Sequence, residues 1–589
     1  MLSGPIILII IVITFLLVAL YLEWFRPSVS FFIAIIALVV GGVLSPKEAL
    51  SGFGNEQLAV IVLLLIISDI FKKSSVINVL FDQLFGKRRS LTSFNASIML
   101  TVGSLSAVFN NTPLVAMMMP YVNSWSSKHK ISASKLLIPL SYAAILGGSI
   151  TLIGTSTNLI VNGLAVDAGF PSLSIFDFTA VGLTMFVIGV VYLLIFGNKL
   201  LPNKQTDIGE IYKESREFFI ETQVQEGSKL IGKSIGSVGL RNLKGLYLIQ
   251  IIRNGRNMAP VAPSEILHKN DALIFVGEPT SVEEIQNNDL GLTLPKRVER
   301  IVDEMVSINE VVVSFNSSLI GQKVKNSNFR ARYDAAIVAI HRNGEKLLGK
   351  IGEVVLRAGD VLLVFSGNDF VTRTKTNKAF YILTHIEEDV KPNVVKITVV
   401  FIALLASIIL ASLEILPLIT GLAVVLLIAI FMKIVPLNEI RKGLDFDLII
   451  LIAFGLALGK AMLNSGASAS IADFFSIFSD YFNPWSFLVL IFAVTNLVAA
   501  YITNKAAVAI LFPISVALAS ELALNPLPFI LIVSFGAAAN FITPIGYQTN
   551  LIVYGPGGYS FKDFMRIGLP LTIIYMLVSA TVLYYMYLK

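Results

Sequence analysis

The sequence predicts a polytopic α-helical membrane protein: two inverted repeats, each of five spans plus a re-entrant hairpin, with an α/β cytoplasmic insert between them. Three observations carry this. The 589 residues are 55% hydrophobic and only 14% charged, whereas a soluble chain is about one quarter charged. Most of the charge falls between about Lys204 and Lys391, which leaves 1–200 and 393–589 almost continuously apolar. The pentapeptide TNLIV occurs twice, at 157–161 and 549–553, in two such apolar stretches 392 residues apart.

Composition also excludes several classes. With no cysteine there are no disulfides or thiolate metal sites. Four histidines, none in a His-x-x-x-His pair, offer no zinc helix. The net charge of +6 suits basic cytoplasmic loops better than a nucleic acid polymer. The first apolar run, 5–22, lacks a basic leader and a small-residue cleavage site, so it is expected to stay as a span.

Basic residues mark cytoplasmic span ends. Lys72, Lys73, Lys87, Arg88 and Arg89 precede the segment 91–125, and Lys128, Lys130 and Lys135 follow it. Both ends of that segment are therefore cytoplasmic. Its middle, Phe109-Asn110-Asn111-Thr112-Pro113, is a polar helix breaker, so 91–125 reads as a hairpin that enters and returns. Around it, 5–22, 29–43 and 59–71 cross in turn. The segment 136–164 crosses outward with a break at Gly154-Thr155-Ser156-Thr157-Asn158, and 178–196 returns. The polar insert then lies in the cytoplasm.

The second half repeats this plan upside down. Spans at 395–413, 415–432 and 448–463 lead to the stretch 464–483, which holds Asp473 and Asp480 and reads as an outer loop. The hairpin 484–520 follows, with Ile502-Thr503-Asn504-Lys505 at its tip. The segment 526–554 is broken at Gly546-Tyr547-Gln548-Thr549-Asn550, and 567–587 exits. Five spans plus a hairpin is an odd number of crossings, so the halves are inverted, as in many secondary transporters.

The spacing of the polar breaks matches between halves. Asn111 to Asn158 is 47 residues and Asn504 to Asn550 is 46. A helix broken inside a membrane leaves N–H and C=O groups without intrahelical partners, and these are costly unless they line a cavity or bind something. Half-helix N-termini favour anions; C-terminal carbonyls and side-chain amides favour cations. A single such motif is usually only helix-to-helix glue. Two motifs at matched spacing point to a binding site.

These residues resemble the divalent anion:sodium symporter family, the dicarboxylate and sulfate carriers. The resemblance lies in the hairpin stretches 106–120 and 499–513, each ending in proline, and in the Gly-x-x-x-Asn breaks at 154–158 and 546–550. It covers both membrane halves. It implies one Na⁺ site formed by Ser106, Asn110, Asn111, Gly154 and Asn158, and a second formed by Ala499, Thr503, Asn504, Gly546 and Asn550. It implies a substrate position between the tips, at Asn111, Thr112, Thr157, Asn504 and Thr549, to which Lys505 is added on its own chemistry. It also implies a homodimer in which a core moves as an elevator against a scaffold.

Two positions depart from the family pattern. The first tip reads Asn-Asn-Thr where the family has Ser-Asn-Thr, and Lys505 stands where the repeat mate is Thr112. An intramembrane lysine is a functional candidate; it would pair with a dianion or replace one Na⁺. A shallow tip would instead let it snorkel to water. Proton coupling is disfavoured because neither hairpin nor break carries a carboxylate or histidine beside its motif, and Asp69 near Lys72 reads as structural.

The insert is a tandem repeat offset by 89: Leu230-Ile231-Gly232-Lys233 matches Leu319-Ile320-Gly321-Gln322, and Arg253-Asn254-Gly255 matches Arg342-Asn343-Gly344. Alternating strands at 247–252 and 336–341 run into Asn-Gly, a strong hairpin-turn signal. Both units, 206–295 and 296–385, resemble the C-terminal TrkA (RCK-type) regulatory domain. No Gly-x-Gly-x-x-Gly accompanies them, so a Rossmann partner is not expected. A regulatory nucleotide or a purely dimerising role both remain open for the insert.

Taken together, the sequence predicts a sodium-coupled carrier of a small inorganic or organic dianion, with sulfate first and dicarboxylates as rivals. It would sit among the lipids of a cell inner membrane with both termini outside and 204–392 in the cytoplasm. A gated channel is disfavoured by two non-identical inverted tips, since filters are built from symmetric rings. A cation/proton antiporter lacks its core carboxylate, and no nucleophile–base–acid constellation suggests an enzyme.

Overall fold

The computed structural model describes residues 4–22, 24–72, 90–204, 394–434, 446–476 and 483–589 of the helical parts. Within the insert it describes 219–238, 240, 246–254, 256–258, 261, 264–277, 291–293, 296–297, 307–314, 317–342, 345–347, 351–366, 369–370, 373–374 and 379–383. Of the residues named from the sequence, Lys73, Lys87, Arg88, Arg89, Asp480 and Lys391 lie outside these residues, as do the side chains of Asp69 and Lys72.

The first half runs α1 (Gly4–Tyr21), α2 (Pro27–Val40), α3 (Pro46–Ser51), α4 (Glu56–Lys72), α5 (Leu91–Ser106), α6 (Asn111–His129), α7 (Leu137–Gly148), α8 (Ser156–Asp167) and α9 (Thr179–Leu200). The second runs α10 (Val394–Ser412), α11 (Leu418–Phe431), α12 (Phe446–Asn464), α13 (Ala467–Ser476), α14 (Pro484–Tyr501), α15 (Asn504–Glu521), α16 (Pro526–Ala538), α17 (Gln548–Tyr554) and α18 (Phe561–Tyr587). Among the described residues, six helices are long and apolar enough to cross a membrane, and seven if the bent pair around residue 55 counts as one.

In both halves two helices joined by a short tip (α5–α6, α14–α15) precede a pair separated by an irregular break (α7–α8, α16–α17), and a long helix ends the half. Two elements were not foreseen. The stretch 464–483, read as a loop, contains α13, which packs on the hairpin helix α15 and buries Ala467 and Ser468. A capped turn of helix, α3, precedes α4, where Ser45 and Glu48 form a reciprocal capping box. The last helix also starts six residues earlier than the 567 expected, at Phe561, because Ser560 and Asp563 form a second capping box.

Close packing between α5 and α7 depends on glycine. A Cβ on Gly147 would lie 2.1 Å from the carbonyl oxygen of Gly103, so no larger residue fits that crossing.

The insert holds two five-stranded antiparallel sheets built alike. In the first, β1 (Phe219–Gln223), β2 (Leu246–Arg253), β3 (Arg256–Met258), β4 (Ala272–Gly277) and β5 (Lys296–Arg297) lie in the order β3-β2-β4-β1-β5. In the second, β6 (Ser307–Val313), β7 (Ala335–Arg342), β8 (Glu345–Lys346), β9 (Val361–Ser366) and β10 (Phe380–Ile382) lie in the order β10-β6-β9-β7-β8. Strands β2, β3 and β4 each recur 89 residues later as β7, β8 and β9. Arg253 forks onto both oxygens of buried Asp271 at 2.8 and 2.9 Å, and Arg342 onto Asp360 at 2.7 and 2.8 Å. Each pair ties the end of one strand to the start of its neighbour.

The two sheets differ in what covers their outer faces. Val311, Val313, Leu362 and Val364 fill the second unit's own core. Val312, Val361 and Leu383 point the other way and are buried in the membrane body's core, as strand alternation dictates. There Gly359 meets Gly555, just past α17: a Cβ on Gly555 would lie 2.5 Å from the Gly359 carbonyl oxygen. The first unit has Gln223 and Ala272 at the positions of Val312 and Val361, and Gln223 is exposed.

Candidate functional site

Four helices begin at the polar tips and breaks: α6, α8, α15 and α17. Each start is set by local chemistry. Asn110 accepts from the Thr112 N–H at 3.3 Å, Thr155 from the Thr157 N–H at 3.5 Å, and Thr503 from the Ala506 N–H at 3.2 Å, so three of the four starts carry a side-chain cap. The fourth, α17, follows Tyr547, whose side chain does not cap it.

Tyr547 instead reaches into the other half. Its hydroxyl lies 2.9 Å from the Asn111 carboxamide and 3.3 Å from the Thr155 hydroxyl. Next to it, the Thr112 hydroxyl donates to Gln548 Oε1 at 3.1 Å. The starts of α6 and α17 are thereby bonded side by side. Ser106 Oγ lies 2.6 Å from the Asn111 carboxamide and 2.8 Å from the Ala144 carbonyl. One hydroxyl proton cannot serve two acceptors. When that proton goes to Asn111 Oδ1, Asn111 Nδ2 donates to the Tyr547 hydroxyl, and every polar side-chain atom of the cluster has a partner.

The two breaks are braced by the same set of bonds. Thr151 Oγ1 donates to Ala107 O and accepts from the Gly154 N–H; Thr543 Oγ1 donates to Ala500 O at 3.1 Å and accepts from the Gly546 N–H. Asn158 donates to Thr151 O at 2.8 Å and accepts from Ser534 at 2.6 Å. Asn550 donates to Thr543 O at 3.2 Å and to Asn540 O at 2.8 Å, and accepts from Ser141 at 2.7 Å. The second TNLIV asparagine thus does the work of the first. Both asparagines hold their break closed, and each is tied to a helix of the opposite half.

The remaining expected residues fall as follows. Asn111, Thr157 and Thr549 are buried, and Thr112, Asn504 and Lys505 are half-buried. The Thr549 hydroxyl is buried with no hydrogen-bond partner among the described residues, a cost that a bound ligand would remove. A small cavity of about 20 Å³ opens beside the first tip, lined by Ser68, Phe109, Asn110, Gly154, Ser156 and Leu404. It places the start of α8 against α4 and α10. Among the described residues no three His, Asp or Glu gather as a metal cluster.

Sequence reasoning missed Tyr547, Gln548, Asn540, Thr151, Thr543, Ser141 and Ser534 as members of this network. The two threonines could have been found, since 151 and 543 share the 392-residue offset of the TNLIV copies. Tyr547 could not, because its repeat mate is Thr155 and the bond it makes crosses between halves.

A family model described as CitMHS, citrate transporter, matches residues 6–482 and 408–589. The chain belongs to the CitMHS citrate transporter family. It is a multi-pass membrane transporter and not an enzyme. An "uncharacterized transporter" of Synechocystis sp. is 34% identical over 588 residues, 96% of this chain and 95% of that one. Sodium/sulfate cotransporter 2 of Chlamydomonas reinhardtii is 23% identical over 780 residues, 96% of this chain and 88% of that one. Sodium/sulfate cotransporter 1 of the same alga is 22% identical, over 96% of this chain and 88% of its own length. The matches to these relatives run over both helical halves and the insert.

Proposed function

We propose that this CitMHS protein is a sodium-coupled carrier of a small divalent anion, sulfate first. The observation that carries this reading is the bonded junction of the α6 and α17 starts through Asn111, Tyr547, Thr112 and Gln548. Helix starts present free N–H groups and the positive end of the backbone dipole, which suits an anion with no titratable partner. Substrate would lie against Asn111, Thr112, Thr157, Asn504, Lys505 and Thr549, where the orphaned Thr549 hydroxyl offers a donor. Lys505 supplies the positive charge that a dianion favours over a neutral solute.

Sodium would sit between the first tip and the first break, among Ser106, Asn110, Asn111, Gly154 and Asn158, whose oxygens are hard and uncharged. Ala499, Thr503, Asn504, Gly546 and Asn550 are the structural counterpart in the second half. Sodium coupling and sulfate are supported by the algal cotransporters, which carry both in their names. The inverted-repeat arrangement, a homodimer, an elevator motion of hairpins and breaks, and inner-membrane placement with 204–392 inside belong to the same reading. The duplicated sheets support two TrkA C-terminal-type units in the insert, with a nucleotide as a candidate regulator.

A second reading is a dicarboxylate or tricarboxylate carrier, favoured by the family's description as citrate transporters. Counterflow in proteoliposomes decides, using labelled sulfate, succinate, citrate and phosphate with and without Na⁺. Saturable sulfate flux that needs Na⁺ is expected. Preference for a carboxylate would move the substrate assignment, and flux indifferent to Na⁺ would remove the coupling.

A further inference from the structure

The two halves share their bracing bonds but differ at one carbonyl. In the first half the last residue of α5, Ser106, presents a main-chain oxygen toward Gly154, where an added Cβ would lie 2.9 Å away. Among the described residues no donor is bonded to that oxygen. In the second half the corresponding carbonyl, Ala499 O, accepts from Asn540 Nδ2 at 2.8 Å.

The difference traces to one pair of positions. The residue six before the break glycine packs on that glycine in both halves. It is Gly148 in the first, with its oxygen 2.5 Å from an added Gly154 Cβ, and Asn540 in the second, with its amide nitrogen 1.9 Å from an added Gly546 Cβ. Gly148 leaves room that the Asn111 carboxamide fills: an added Cβ would lie 2.4 Å from Asn111 Oδ1. Asn540 has that Cβ, so Asn504 cannot take the pose of Asn111. Asn111 is 2% exposed, while Asn504 stays half-buried. Ser106, which holds Asn111 in place, is matched by Ala499, which has no hydroxyl to do so.

We infer that the Asn540 amide fills, in the second half, the position that a sodium ion takes in the first, so that the tips bind one sodium ion per chain. The carboxamide N–H is a tethered substitute for a cation: it donates to the same carbonyl that an ion would draw on. Asn504 and Lys505 stay half-buried at the second tip. This rests on the sodium-coupled reading above, and it names which half does the coupling.

The test is equilibrium binding of ²²Na⁺ to purified protein, counted per chain, with no transport needed. Wild type is expected to bind one ion, and Asn111→Leu none. Asn540→Gly, which copies Gly148, is expected to bind two. Thermal melting of the variant shows whether it is folded, and Asn540→Ala serves as the milder opening if it is not. Two ions on the wild type, or one on a folded Asn540→Gly protein, would overturn the inference while leaving sodium coupling intact. No ion on any form, with sulfate flux independent of Na⁺, would overturn both.

Discussion

The hydroxyl of Tyr547 lies 2.9 Å from the Asn111 carboxamide and 3.3 Å from the Thr155 hydroxyl, so one residue of the second half bonds to both polar interruptions of the first. Tyr547→Phe removes that hydroxyl and leaves a buried amide short of one partner, a cost of about 1–3 kcal/mol. The expected outcome is a lower melting temperature together with weaker Na⁺ activation of transport. Activation unchanged at equal protein level would show that the junction is only mechanical.

Ser141→Ala and Ser534→Ala each strip the hydroxyl donor from a buried break asparagine. Because the two braces are built alike, at 2.7 and 2.6 Å, the variants should lose stability by similar amounts, about 1–3 kcal/mol each. Chemical denaturation of each, and of the double variant, measures this. A large loss from one and none from the other would mean that the breaks are not held equivalently.

How much of this was readable beforehand follows from what makes each contact. Asn111, Asn158 and Gly154 were legible because a duplicated polar motif in apolar sequence has a cost that needs a reason, and the sheets were legible from alternation, Asn-Gly turns and the 89-residue offset. The bond from Tyr547 to Asn111 spans 436 residues and leaves no local pattern. Asn540 and Gly148 were invisible for another reason: their meaning is a difference between mates, which a repeated motif does not display. Helix α13 escaped because its serines and single aspartate read as loop, while burial against α15 decided the matter.

The contact between Gly359 and Gly555 predicts that Gly555→Leu pushes the second insert unit off the end of α17, since a Cβ there meets backbone 2.5 Å away. Hydrogen exchange over 548–555 should rise in the variant while the first unit's strands are unaffected. Val361→Asp, which puts a charge into the same buried patch, should do likewise. Exchange identical to wild type in both would mean the patch does not restrain α17.

Glu310 lies on β6 beside Val312, and burial pushes its carboxyl up to about 7. A carboxyl raised above its unfolded value of about 4.3 favours the protonated folded state. The stability it contributes is full below pH 4.3 and is lost as pH rises toward 7. Melting of the full chain between pH 4.5 and 7.5 should therefore show a decline that Glu310→Gln flattens. Parallel profiles for the two proteins would remove Glu310 as the source.

The pairing of Gly359 with Gly555 also bears on how such a chain can change over generations. The second sheet is the floor under α17, so a descendant that shed it would expose Leu551 and its apolar neighbours and would need compensating polar substitutions at once. The first sheet turns Gln223 to solvent, and among the described residues its strands stay outside the membrane body's core. Of the two copies, the first is free to drift, to acquire another ligand, or to vanish.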